Sequence, residues 1–383
     1  MKQATLKISA LVMLLAGITT GAIAQSANPI NVVTTAVPFL RISPDARSGG
    51  MGEVGIATSA DAYSNFWNLG KIMFAKTKTN IGVTYTPWLS DLDLNDVYLA
   101  SISGYHQLDE FQALSVGLRY FSLGNIQFTD NSGNQLQSFR PREFGIDVGY
   151  SRKLSGKSGL GIGLRYISSD LAGGSVNGVT YKKGTTVAAD LHYFHNGLQE
   201  TGAGFNWGVT LSNLGGKISY TQDANQKDFI PANFGAGGAY TKVFDADNKV
   251  TFALDLNKLL VPTPPIVGDS AGLVKYRSKG VVSSWFSSFG DAAGGGSEEL
   301  KEVTASLGAE YWYKEQFAVR AGYFYESPDK GNRKYFSVGA GLKYNMFGLN
   351  FSYLLPSGAG INRNPLSNTL RFSLSFDLDN EKE

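Results

Sequence analysis

No cysteine occurs in this chain of 383 residues. Disulfides and thiol chemistry are excluded, even in a compartment where disulfides form. Histidine is almost as scarce: His106, His192 and His195 are all there is. His192 and His195 stand three positions apart in a run that reads as a strand, so they point to opposite faces. That defeats a shared metal site or a base–nucleophile pair. A surplus of one charge is missing too. Lys and Arg number 34 and Asp and Glu 32, interspersed along the chain, which leaves no basic stripe for nucleic acid. There is no His-Glu-x-x-His. Gly268-Asp269-Ser270-Ala271-Gly272 matches Gly-x-Ser-x-Gly and Gly50-Met51-Gly52-Glu53-Val54-Gly55 matches Gly-x-Gly-x-x-Gly, but neither sits directly between a strand run and a helix run, the context each motif needs. The stretch from Asp91 to Asp96 begins like a calcium loop, but its sixth position is Asp96 where Gly is needed, and its twelfth is Ile102 where Glu is needed. An acidic outer loop is the better reading. The sequence therefore nominates no catalytic residue, no cofactor site and no metal site.

Long apolar runs are also absent beyond the first two dozen residues. None approaches the roughly 18 residues that a membrane helix requires. The only apolar run of note is at the start. Lys2 and Lys7 precede an apolar stretch over 8–19, and Ala22-Ile23-Ala24 then supplies small residues before Gln25. This is the layout of a secretory signal, and it is too short to span a membrane. The expected division is a signal peptide at 1–24, an N-terminal segment at 25–76, and a larger unit at 77–383.

What is abundant is glycine and aromatic residues in alternation. Glycine accounts for 46 residues, about 12% against a usual ~7%, and aromatics for 12%. Leu114, Val116, Leu118 and Tyr120 alternate with Ser115, Gly117 and Arg119. The same period of two returns in Phe144 to Tyr150, Leu160 to Tyr166, Val187 to Tyr193, Phe205 to Leu211, Val250 to Leu256, Val303 to Tyr311 and four later runs ending at Phe376. A soluble sandwich also alternates. Two features favour a membrane barrel instead. The apolar faces often close with Tyr or Trp, as an aromatic belt at the lipid boundary would. The connections also alternate between short and long, as periplasmic turns and extracellular loops do. With weaker runs near Ile81, Val97 and Phe234, the count is about 14 strands. The expected fold is all-β: a transmembrane antiparallel barrel of the outer membrane, with the non-alternating N-terminal segment folded into the lumen as a hatch. A barrel of this size has a lumen that must be filled or conduct.

On this phase Arg119, Asp147, Arg165, Asp190, Asp255, Glu310, Arg320, Lys343 and Arg371 face the lumen. Their signs nearly balance, which suits a paired lining that binds the hatch better than a selective pore. The connection at 258–301 is the longest, and loops of that length are uncommon without a role. It carries Pro264 and Pro265, then Trp285, Phe286 and Phe289. These aromatics either form a protein-docking patch on the outer surface, or pack down on neighbouring loops and the lipid edge.

The N-terminal segment is more specific. Thr34-Thr35-Ala36-Val37-Pro38-Phe39-Leu40-Arg41-Ile42-Ser43-Pro44-Asp45-Ala46-Arg47-Ser48-Gly49-Gly50-Met51-Gly52 resembles the N-terminal signature of PorV proteins of the type IX secretion system. Ala62-Tyr63-Ser64-Asn65-Phe66-Trp67-Asn68 and Val83-Thr84-Tyr85-Thr86-Pro87-Trp88-Leu89 continue the resemblance, which extends along the whole mature chain. One departure is Asn68-Leu69-Gly70, where Asn-Pro-Ala is expected. The resemblance marks Pro38, Asp45, Arg47, Gly49, Gly50, Met51, Gly52 and Trp67 as hatch motif residues. It implies a FadL-like barrel that performs no chemistry itself. Such a subunit binds the C-terminal domain of secreted cargo leaving a large outer-membrane translocon barrel, and passes it to an attachment complex containing a sortase-like protease. The other implied partner is outer-membrane lipid. The alternative is a FadL-like transporter of hydrophobic solutes, which would need an apolar lumen pocket and a gap in the wall.

Overall fold

The computed structural model describes residues 32–378, apart from 90–93, 95, 131, 177–178, 224–225, 266–267, 356–365 and 367. The expected leader at 1–24, the first hatch residues at 25–31, part of the acidic stretch near 91–95, much of the last outer connection and the tail beyond Leu378 lie outside the described residues.

The chain first makes β1 (Thr79–Pro87), β2 (Val97–Gln107) and β3 (Gln112–Leu123). The short strands β4 (Ile126–Thr129) and β5 (Gln135–Phe139) follow, then β6 (Arg142–Lys153) and β7 (Ser158–Asp170). Next come β8 (Gly174–Val176), β9 (Val179–Tyr181), β10 (Gly184–His195), β11 (Gly204–Gly215), β12 (Asn233–Val243) and β13 (Asn248–Leu259). The last five are β14 (Thr304–Tyr313), β15 (Phe317–Tyr325), β16 (Lys334–Tyr344), β17 (Phe347–Leu354) and β18 (Leu370–Asp377). Fourteen of these form one closed barrel in which each strand pairs with its neighbour along the chain. The pairs β4–β5 and β8–β9 are separate hairpins in the long connections. Closure is made by β1 against β18, antiparallel, with Ile81 opposite Phe376 and Val83 opposite Leu374. Closure leaves no unpaired edge, which a sheet in lipid requires.

The alternation places polarity inside out. Val116, Leu164, Val187 and Val319 each expose about half to two thirds of their surface on the outer face. Ser115, Arg119, Asp147, Arg165, Ser306 and Glu310 are buried on the inner face. Such a surface is tolerated only where lipid is the solvent. Among the described residues no helix is long and apolar enough to cross a membrane, so the strands are the spanning elements.

Short turns lie at one end of the barrel: 108–111, 154–157, 244–247, 314–316 and 345–346. The turn at 196–203 shares that end and is the longest there, tied by a bridge between Leu198 and Gly204. The long connections crowd the opposite, extracellular end. The segment before β1 threads the lumen from that outer end to the inner one. Ala36 N donates to Phe229 O in an outer loop at 2.9 Å. Val37, Phe39 and Leu40 join Val97, Leu99, Phe121, Ile167 and Ile218 in an apolar cluster near the rim. Leu69, Ile72 and Met73 pack with Tyr105 and Ala113 near the short turns. Gln107 Nε2 donates to Ile72 O at 2.8 Å just before the chain enters β1.

Candidate functional site: a plugged lumen beneath a folded outer loop

The hatch is built from short helical turns, each fixed to the wall by polar contacts. Pro38 opens a 3-10 turn, Pro38–Arg41, where its fixed φ costs nothing and its missing N–H is not needed. Asp45 caps the turn Ala46–Gly49 by accepting from Ser48 N at 2.7 Å. It also accepts from Trp67 Nε1 at 2.8 Å, which ties the turn Ala46–Gly49 to the turn Ser64–Trp67. Arg47 donates to Glu310 at 2.7 and 2.9 Å and to Asp61 at 3.0 Å. Gly49 and Gly50 lie against Arg371 and Gly339 of the wall. Met51 is fully buried with Val54, Ala57, Ala239 and Ala253. Gly52 has φ +69 and lies so close to β15 that a Cβ would stand 2.6 Å from Tyr323 N. Only glycine meets both conditions.

The lumen charges pair with one another and with the hatch. Arg165 bridges Asp147 and Asp190, the latter at 2.9 Å. Arg119 donates to Leu40 O at 3.0 Å. Arg320 reaches Glu310 at 2.7 Å, which thus serves two guanidiniums. Arg371 holds Glu53 at 2.8 Å, and Lys343 holds Asp377 at 2.6 Å. Asp255 accepts from Gly55 N at 2.7 Å and Ile56 N at 2.9 Å. The lumen faces thus act as a receptor for the hatch backbone.

The histidines lie apart. His192 is buried and its Nδ1 accepts from Leu69 N at 2.9 Å. His195 stacks on Trp207, and His106 contacts Thr79 at the short-turn end. Two lumen cavities stand out. The larger, about 500 Å³, opens toward the short turns and is lined by Asp61, Lys249, Glu310, Trp312 and Arg320 among others. The smaller, about 90 Å³, lies under the outer loops and is lined by Arg41, Phe66, Trp67, Asn233 and Phe324 among others. Burial, together with the nearby Arg333, lowers the proton affinity of Arg41.

The connection between β13 and β14 is folded. It forms helices Ser270–Ser278, Val281–Ser287 and Gly296–Lys301. Lys217 Nζ donates to the carbonyls of Arg277 and Lys279, each at 2.7 Å. Tyr276 packs edge-on against Phe229. Lys258 is held by Glu299 at 2.8 Å and Glu302 at 2.7 Å. Lys330, from the next loop, reaches Glu298 at 2.6 Å and Glu302 at 3.0 Å. These contacts hold the Glu298 and Glu299 carboxyls below the usual range: the Lys330 bond lowers Glu298, while at Glu299 burial acts upward and is outweighed by the Lys258 bond and charge together with backbone N–H donors.

The middle helix faces the protein with its small residues, since Ser284 and Ser288 are the buried positions. Its large apolar residues point away. Val282 and Phe286 stand at i and i+4 on the helix, and Phe289 follows in the turn just after it; Phe286 is 76% and Phe289 53% exposed. Phe289 stands edge-on to Phe234, 6.1 Å between centroids, and Phe234 is on the lipid-facing side of β12. Trp285 is half-buried, so it belongs to the loop's own packing more than to the outward stripe. Pro264 and Pro265 are half-buried in the lead-in to the first helix. Val282 escaped the sequence reading, which had no helix on which to phase it.

Residues 24–266 match the family described as type IX secretion system protein PorV. No curated protein matches significantly. Among solved structures, the Pseudomonas putida toluene transporter TodX is similar with a TM-score of 0.51 at 12% identity, covering 91% of this chain and 98% of TodX. The CymD monoaromatic hydrocarbon channel is similar with a TM-score of 0.50 at 12% identity, covering 88% of this chain and 98% of CymD. A Pseudomonas aeruginosa FadL homologue reaches 0.47 at 11% identity, covering 92% and 100%. At such identities TodX and CymD show the fold alone, that of a closed outer-membrane barrel. The family match spans the whole described hatch and the strands through β13, more than half of the chain, and by it this outer-membrane protein belongs to the PorV family of the type IX secretion system.

Proposed function

We propose that this chain is a non-enzymatic docking subunit of a type IX secretion system. In this reading it receives the C-terminal domain of exported cargo from a large translocon barrel and passes it to a surface attachment complex with a sortase-like protease. The observation that carries it is the folded outer loop, which presents Val282, Phe286 and Phe289 outward above a filled lumen. Exposed apolar stripes of this kind are what protein interfaces bury. The hatch motif residues Pro38, Asp45, Arg47, Gly49, Gly50, Met51, Gly52 and Trp67 serve as the rigid floor of this platform. Pro264, Pro265 and Trp285 serve to set the loop's shape.

A transporter of hydrophobic solutes, as the names of TodX and CymD describe those proteins, needs an apolar path. Here the apolar cluster near the rim is filled by Val37, Phe39 and Leu40, and the larger cavity has charged residues such as Arg47, Asp61, Lys249, Glu310 and Arg320 along its lining. The test is purification of the tagged protein in gentle detergent from its native host, with mass spectrometry of what accompanies it. Recovery of a very large barrel, or of secreted proteins still carrying their C-terminal domains, is expected. Recovery of the barrel alone, loaded with lipid or hydrocarbon, would overturn the carrier reading in favour of transport.

A further inference from the structure

Three guanidiniums and two carboxylates meet where the hatch enters the lumen. Arg371 is bonded to Glu53 at 2.8 Å. Arg333 is bonded to Glu326 through two contacts at 2.8 Å. Arg41 lies within electrostatic range of Glu53, Glu326, Arg333 and Tyr335, yet both carboxylates are already engaged. Among the described residues the Arg41 side chain makes no hydrogen bond, ion pair or ring contact. It lines the cavity of about 90 Å³ beneath the outer loops.

Arg41 is half-buried, and its guanidinium faces the cavity with no acid bonded to it. The other lumen arginines named above each lie within 4 Å of an acid, Arg119 being 3.7 Å from Asp147. The exception faces a cavity that an anion can enter. We propose that Arg41 is the anchor of an anion-binding site in the outer lumen, and that the site takes a small carboxylate. The planar fork of a guanidinium matches a carboxylate through two parallel bonds. Thr210, Ser212 and Thr304 supply hydroxyl donors around the cavity, and Phe66 and Trp67 supply apolar walls. The volume holds a group the size of a few water molecules, which admits a carboxylate head and excludes a buried acyl chain.

The test uses the full-length barrel in detergent. The thermal midpoint and Trp67-dependent fluorescence are followed against sodium acetate, sodium phosphate and sodium chloride at matched ionic strength. Acetate is expected to raise the midpoint saturably, chloride to do nothing, and phosphate to act more weakly than acetate. Arg41→Met should weaken the acetate response roughly tenfold or more, as loss of a charge-assisted bond does. An equal response to chloride, or an Arg41→Met variant that responds like the parent, would overturn the site. A stronger response to phosphate would overturn the carboxylate assignment. Should Arg41→Met not fold, Arg41→Lys keeps the charge and loses the fork. It should bind acetate more weakly, and an undiminished response would count against the proposal.

Discussion

Glu310 illustrates how single residues fix the hatch. It is buried on β14 and accepts from both Arg47 of the hatch and Arg320 of β15. Replacing it with Ala leaves Arg320 without its acid and Arg47 with Asp61 alone, and breaking a buried pair in this way costs about 3–5 kcal/mol. Glu310→Ala should therefore lower the thermal midpoint measured by heat-dependent mobility on gels, while Glu315→Ala, at a half-exposed surface position, should leave it nearly unchanged. A midpoint unaffected by Glu310→Ala would mean that the hatch is held otherwise. Gly322 is a second such point. It faces Met51 and Gly52 so closely that a side chain there meets hatch backbone. Gly322→Val should dislodge the hatch and make its 46–57 stretch a protease target in an otherwise folded barrel. Continued resistance would show that the wall can yield at this point. Both positions were legible only in part. The alternation placed Glu310 and Gly322 on the inner face, but no pattern in sequence says which hatch residue stands opposite.

At the scale of elements, the outer loop departs most from its sequence appearance. Its helices form jointly with neighbours: Lys217 bonds the carbonyls of Arg277 and Lys279, Lys279 pairs with Asp291, Lys258 holds Glu299 and Glu302, and Lys330 holds Glu298 and the same Glu302. A seven-residue helix such as Val281–Ser287 has little stability by itself, so only this packing makes it form. Trp285 and Phe286 are adjacent in sequence and differ in exposure for that reason alone. The loop should also respond to acid. Glu298 and Glu299 have folded pKa values below their unfolded value of about 4.3. Their contribution is present above that pH and is lost as pH falls through the lowered folded values. Pepsin should accordingly cut within 260–303 at pH near 3 more readily than a matched acid-tolerant protease does near pH 6, with the barrel strands intact. Equal resistance at both would show that apolar packing, not these pairs, holds the loop. Phe286→Asp together with Phe289→Asp should reduce partner recovery several-fold without moving the thermal midpoint, because both side chains are mostly exposed. A shifted midpoint with unchanged recovery would assign the stripe to lipid or loop packing.

For the whole molecule, the governing fact is a barrel wide enough to conduct that is filled by its own chain. Removing residues 46–72 should convert a protein of low conductance in planar bilayers into an open pore, since 14 strands enclose more than side chains alone can fill. A parent that conducts as well as the deletion would show that the larger cavity runs through. The hatch begins at the extracellular rim and ends at the short turns before β1, so it crosses the lumen once before the first strand.

The amino-acid sequence by itself determined the strands, their number, and which residues face lipid. Lipid permits only apolar side chains on one face and a polar lining on the other, and that constraint writes a period of two into every spanning run. It also carried the family signature across the hatch. Tertiary structure decided the rest. The partners of Arg47, Glu310, Asp255 and Arg165 lie tens to hundreds of positions away. The lone guanidinium of Arg41 is distinguishable from its paired neighbours only once every carboxylate around it has been placed. The outward placing of Val282 and Phe286 exists only because a helix forms there, inside a loop tied down by Lys217, Lys258 and Lys330 from outside it.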